Sequence, residues 1–81
     1  VDLSGGTVTA TPPAASAANA AQAFRIVQTV AGTATLTIDP AGSAKVEGGT
    51  TLSLTGIASG ALLDRTFTSL GDATFGWKSS A

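Results

Sequence analysis

The chain has 81 residues, enough for one domain. Four Lys and Arg stand against five Asp and Glu, a net charge of −1, and there is no His and no Cys. That composition disfavours nucleic-acid partners, which need a basic surface to neutralise phosphates; it leaves no disulfide and no zinc or copper ligand set, and it excludes nucleophilic triads built on His or Cys.

A chain this short buries only about 60% of its unfolded surface on folding. Ala, Thr, Gly and Ser make up more than half of the residues, with one Trp, three Phe and no Tyr or Met. The core of a single copy is therefore thin. Small scaffolds of this kind need a staple, and with no Cys and no metal-ligand set the staple left is a partner subunit. A homo-oligomer is expected, with Thr, Ser, Asn and Gln rather than charge keeping the surface wet.

Taken in chain order, alternation is the dominant signal. Thr7-Val8-Thr9-Ala10-Thr11 sets three threonines on one face. The segment from Pro13 to Ala23 is Ala-rich; Pro suits a first helical turn and Thr11 is a candidate cap, but a helix of about ten residues is marginal alone. It reads as a loop with one or two helical turns. The uncharged run from Leu3 to Phe24 is long enough to span a bilayer, but Gly5-Gly6 and Pro12-Pro13 interrupt it, so no membrane insertion is expected.

Phe24-Arg25-Ile26-Val27-Gln28 is the next strand, with Phe24 and Ile26 turned one way and Arg25 the other. Thr35 to Asp39 and Thr51 to Thr55 place Leu36, Ile38, Leu52 and Leu54 inward and their hydroxyl neighbours outward. Leu62 to Leu70 reads as a strand with looser alternation. Thr74 to Lys78 closes the series, with Phe75 and Trp77 on one face. Gly5-Gly6, Ala31-Gly32-Thr33, Asp39-Pro40-Ala41-Gly42, Gly48-Gly49, Ser59-Gly60 and Gly71-Asp72 separate the strands as turns. The expected architecture is all-β: one small antiparallel sandwich or prism-like β domain over 1–81, with one Ala-rich loop or short helical turn, assembled as a trimer. The expected core is Val8, Phe24, Ile26, Leu36, Ile38, Leu52, Leu54, Phe67, Phe75 and Trp77.

Read in order, VDLSGGTVTATPPAASAANAAQAFRIVQT, then ATLTIDPAGSAKVEGGTTLSL, then LLDRTFTSLGDATFGWKSS resembles a short all-β module recurrent in bacteriophage tail fibres, spikes and virion decoration or head-fibre proteins. The shared series is a strand, a Pro-Ala-Ala loop, a strand carrying Phe24, Ile26 and Thr29, a Pro-containing turn, a Glu-Gly strand and an aromatic-ended last strand. It covers Val1 to about Lys78. The chain departs from it at the last turn, where Gly71-Asp72-Ala73-Thr74 replaces the usual Asp-Gly-Thr-Asn. The resemblance implies a symmetric, non-enzymatic assembly at the virion surface, with itself and with capsid or fibre components as partners. It implies no catalytic residues and no cofactor. The alternative is a fibre or spike domain that adheres to host-surface glycans through a loop such as Pro12 to Ala23.

The remaining chemistry is sparse. Gly71 and Gly76 echo a phosphate loop, but Trp77 stands where the phosphate-binding lysine belongs. The carboxylates of Asp2, Asp39, Glu47, Asp64 and Asp72 read as solvated or turn groups rather than a glycosidase pair, and no loop is acidic enough for calcium. Phe75 and Trp77 are candidates for a subunit seam or core, and otherwise for a sugar-stacking platform. Arg25 and Arg65 are candidate partner contacts, or strand-face charges that discourage edge pairing.

Overall fold

Each run of alternation overlaps a strand. The computed structural model describes residues 1–80. In chain order it contains β1 (Val8–Ala10), a 3-10 turn (Ala17–Asn19), β2 (Ala23–Val27), β3 (Thr35–Ile38), β4 (Leu52–Thr55), β5 (Asp64–Ser69) and β6 (Trp77–Ser80). Four of the strands are shorter than the sequence pattern, β2 is shifted by one residue, and β6 begins later and runs further. The strands form two three-stranded sheets, β1-β3-β4 and β2-β5-β6. The chain is thus all-β, with one turn of 3-10 helix in the Ala-rich loop. No helix among the described residues is long and apolar enough to cross a membrane.

One pairing departs from the expected antiparallel plan. β1 runs parallel to β3, with Val8 opposite Leu36 and Ala10 opposite Ile38. Parallel neighbours need a long crossover, and the Ala-rich loop together with β2 supplies it. β3–β4, β2–β5 and β5–β6 are antiparallel. The Ala-rich loop is capped locally by Ser16 and Asn19, not by Thr11. Asn19 Oδ1 accepts the Ser16 N–H (2.9 Å) and the Ser69 hydroxyl (2.7 Å), and Asn19 Nδ2 donates to Ala14 O (2.9 Å). This ties the loop to the end of β5.

The two sheets contribute to one core. Leu36, Ile38 and Leu54 come from the first sheet and Phe67 and Trp77 from the second, joined by Leu3, Ala15 and Val46 from connecting segments. Of the expected core, Val8, Phe24, Ile26, Leu52 and Phe75 are half-buried instead. A core of so few large side chains matches the composition. The Cα extents are 38 × 20 × 15 Å.

β6 starts three residues later than the alternation predicts, and the cause is Gly76. Its φ is +80°, and a Cβ there would lie 1.9 Å from the Lys45 carbonyl oxygen. No other residue fits a left-handed position against that carbonyl. The chain turns at Gly76, so Phe75 lies ahead of the strand and does not share a strand face with Trp77.

Candidate functional site

The aromatic residues gather around Phe24 rather than Phe75. Phe24 and Phe67 are directly opposite in the β2–β5 register and stack at 5.0 Å between centroids, 13° from parallel. Trp77 meets Phe24 edge-on, also at 5.0 Å and at 68°. Offset-stacked and edge-on geometries are the favoured ones for ring quadrupoles. Trp77 is 3% exposed, and its Nε1–H donates to Pro13 O at 2.8 Å. The indole therefore lies inside, its polar atom satisfied by the Ala-rich loop. Phe75 packs half-buried over the turn at Gly48 and takes part in neither aromatic pair.

Beside this cluster, the outer edge of β6 is closed by the chain itself. Trp77 N donates to Lys45 O (3.2 Å), Glu47 N donates to Trp77 O (2.8 Å), and the Glu47 carboxylate accepts the Ser79 N–H. Glu47 and Gly48 have φ of +53° and +76°, and Val46 and Gly49 exchange both backbone hydrogen bonds at 2.9 Å. That is a two-residue hairpin turn whose two central positions both need positive φ.

Gln28 is 2% exposed and was not singled out by the sequence. Its Nε2 lies within hydrogen-bond distance of the carbonyls of Val30 (3.0 Å), Gly32 (3.2 Å) and Ile57 (2.9 Å); its Oε1 accepts the N–H groups of Ile57 (3.0 Å) and Leu63 (3.2 Å). One side chain thus joins two loops, the one after β2 and the one between β4 and β5. The signal for it was the phase of β2: Phe24, Ile26 and Gln28 share parity, so Gln28 turns inward with them.

The candidate cations lie on opposite faces. Arg25 is exposed and forms a two-point ion pair with Asp64, at 2.8 and 2.6 Å. Arg25 pairs with Thr66 in register and Asp64 lies two residues along, so the two are diagonal neighbours on one face. The hydrogen bond from Arg25 holds the Asp64 carboxyl below its ordinary value and raises that of Arg25. Arg65 is half-buried on the other face and donates to Ser79 Oγ (2.9 Å).

The carboxylates are dispersed. Asp2 accepts from Ser4 N (2.9 Å) and Ser4 Oγ (2.6 Å), and this lowers its pKa. Asp72 Oδ1 accepts from Phe75 N (2.8 Å), Thr74 N (3.0 Å) and Gly76 N (3.5 Å), led by Phe75, and its pKa is lowered too. Asp39 is exposed. Among the described residues no three Asp or Glu side chains gather as a metal-ligand group, and the surface has no pocket.

The first sheet carries a hydroxyl face. Thr9, Thr37 and Ser53 form one row across β1, β3 and β4, and Thr35 and Thr55 begin the next. The outer-strand members are exposed. No protein-family model, no curated protein and no solved structure matches the chain.

Proposed function

We propose that this chain is a structural module of a bacteriophage virion surface, a capsid-decoration or fibre-type protein that works by symmetric packing, as a trimer, against itself and neighbouring capsid or fibre components. The observation that carries it is the placement of Trp77. In a chain with one Trp, that side chain lies inside the core, with its N–H bonded to Pro13 O, where it holds the fold rather than presenting a stacking surface to a sugar. The ordered series of strand and turn motifs supplies the phage assignment. The thin core supplies the expectation of partner subunits.

Within this proposal the two sheets stack as a small sandwich or prism. The shortest extent of the molecule, 15 Å, suits two layers about 10 Å apart. The function is non-catalytic and needs no cofactor. The test is immunogold labelling of phage particles from the culture that encodes the chain, with light scattering on the purified protein. Regular labelling of the capsid or tail and a trimeric mass support the proposal. Particles that stay unlabelled overturn the virion assignment, and binding of the purified chain to host cells but not to particles favours the receptor-binding alternative.

A further inference from the structure

The four edge strands of the two sheets are not equally protected. In β6 the outward-facing groups of Trp77 and Ser79 N are taken up by Lys45–Glu47. In β2 the exposed Arg25 sits in mid-strand, and Val27 O is occupied by Val1 N at 2.5 Å. A charged side chain and a covering segment are the ordinary defences of a sheet edge.

β1 and β4 have neither defence. Gly56 N donates to Ala34 O (3.0 Å), which continues the β3–β4 ladder and assigns its mutual bonds to Leu36–Leu54 and Ile38–Leu52. The backbone N–H and C=O of Ser53 and Thr55 therefore point away from β3. On the other side, Asp39 N donates to Ala10 O (2.8 Å), so Val8 and Ala10 carry the bonds to β3 and Thr9 points away. Among the described residues these outward groups have no partner. From Thr7 to Thr11 and from Thr51 to Thr55 no residue is charged.

The two open edges belong to the same sheet and complement each other. β1 is parallel to β3 and β4 antiparallel to it, so β1 of one copy meets β4 of a rotated copy antiparallel. Setting Thr9 opposite Ser53 makes both members outward-facing, as a hydrogen-bonded pair requires. The same register sets Thr7 opposite Thr55 and Thr11 opposite Thr51, and Val8 opposite Leu54 and Ala10 opposite Leu52. Hydroxyl meets hydroxyl and apolar meets apolar; a shift of one residue would set every pair against the wrong face.

We propose that copies of this chain join edge to edge, β1 of one against β4 of the next with Thr9 opposite Ser53, so that the β1-β3-β4 sheets run on from subunit to subunit. The contact is heterologous and closes a ring when the rotation permits; that the ring holds three copies rests on the function proposed above. The occupant of each edge is a second copy because each open edge finds its register complement on the same chain.

The test is light scattering on the wild type and three variants, with Trp77 fluorescence as the check that each is folded. Thr9 and Ser53 are exposed, so charges there leave the single copy intact. T9K/S53K sets lysines opposite at every seam, and the mass should fall from three chains to one at a concentration where the wild type is whole. T9K/S53E restores opposite charges, and the trimer should return. Ser53→Pro removes an N–H used only at the seam and should also give single chains; should it unfold, the charge pair decides. An oligomer indifferent to T9K/S53K overturns the edge pairing and leaves the trimer standing. A wild type of one-chain mass overturns both.

Discussion

Gln28 treats Ile57 as a strand partner: its Nε2 donates to Ile57 O at 2.9 Å and its Oε1 accepts from Ile57 N at 3.0 Å. The same amide reaches Val30, Gly32 and Leu63. The loops after β2 and between β4 and β5 meet through two backbone bonds, Gly32 N to Ile57 O (3.1 Å) and Gln28 N to Leu63 O (2.8 Å), and this buried amide adds to them. Gln28→Leu keeps the volume and removes every one of these bonds. A buried backbone group left without a partner costs roughly 1–3 kcal/mol, so the variant should lose about 2–4 kcal/mol in urea denaturation. A loss below about 0.5 kcal/mol, the range of a neutral surface change, would mean that water replaces the amide.

Trp77 allows a graded test of the core. Trp77→Ala should cost about 3–5 kcal/mol, as for other buried aromatic truncations. Trp77→Phe keeps most of the burial against Phe24 but leaves Pro13 O without its donor, and about 1–2 kcal/mol is expected for the volume change and lost hydrogen bond together. If both variants fold as well as the wild type and lose binding to a glycan instead, Trp77 is a stacking platform and the structural assignment falls. Wild-type Trp fluorescence should be blue-shifted and shift red on denaturation, since the indole is 3% exposed.

Two backbone positions predict opposite signs. Gly76 is left-handed against the Lys45 carbonyl, so Gly76→Ala combines strain with a clash against backbone, and at least about 2 kcal/mol of destabilisation follows. Ala21 is also left-handed, φ +67°, but its side chain is exposed. There Ala21→Gly relieves about 1–2 kcal/mol of strain against roughly 0.4–1 kcal/mol of added unfolded-chain entropy. A gain of about 0.5 kcal/mol is expected. Thermal melts of both variants check the signs; a destabilised Ala21→Gly would show that this part of the loop tolerates an L side chain without cost.

What the sequence made legible was strand phase. Leu36, Ile38, Leu54 and Phe67 are buried where alternation put them, because a strand with one covered face has no other choice of register. Less legible was everything decided between strands. Leu3 and Val46 are buried from segments with no alternation, held by isolated bridges such as Val46 to Trp77. Phe75 lost its strand face to one left-handed glycine. Asp64 paired with Arg25, its diagonal neighbour across β2–β5, rather than with the adjacent Arg65, and only the register reveals that. The parallel β1–β3 pairing depends on how a 24-residue connection from Ala10 to Thr35 crosses the sheet, which no local pattern encodes.

Asp72 links the last turn to pH. Three backbone N–H groups, led by Phe75, converge on its Oδ1 and favour the charged form, so its folded pKa lies below its unfolded value. Asp2 and Asp64 are shifted the same way, by Ser4 and by Arg25. For a depressed carboxyl the contribution is fully present above the unfolded pKa, near about 3.9, and is lost as pH falls through the lower folded value. Stability should therefore be flat through neutral pH and decline below about pH 4. Asp72→Asn keeps an acceptor for the turn but cannot titrate, so its stability should fall less steeply with acid than that of the wild type. Denaturation midpoints of the two proteins across the acid range decide it. Parallel slopes would mean that Asp72 binds its proton equally in the folded and unfolded chains, and that the turn at Gly71–Gly76 is held by its glycines rather than by the carboxylate.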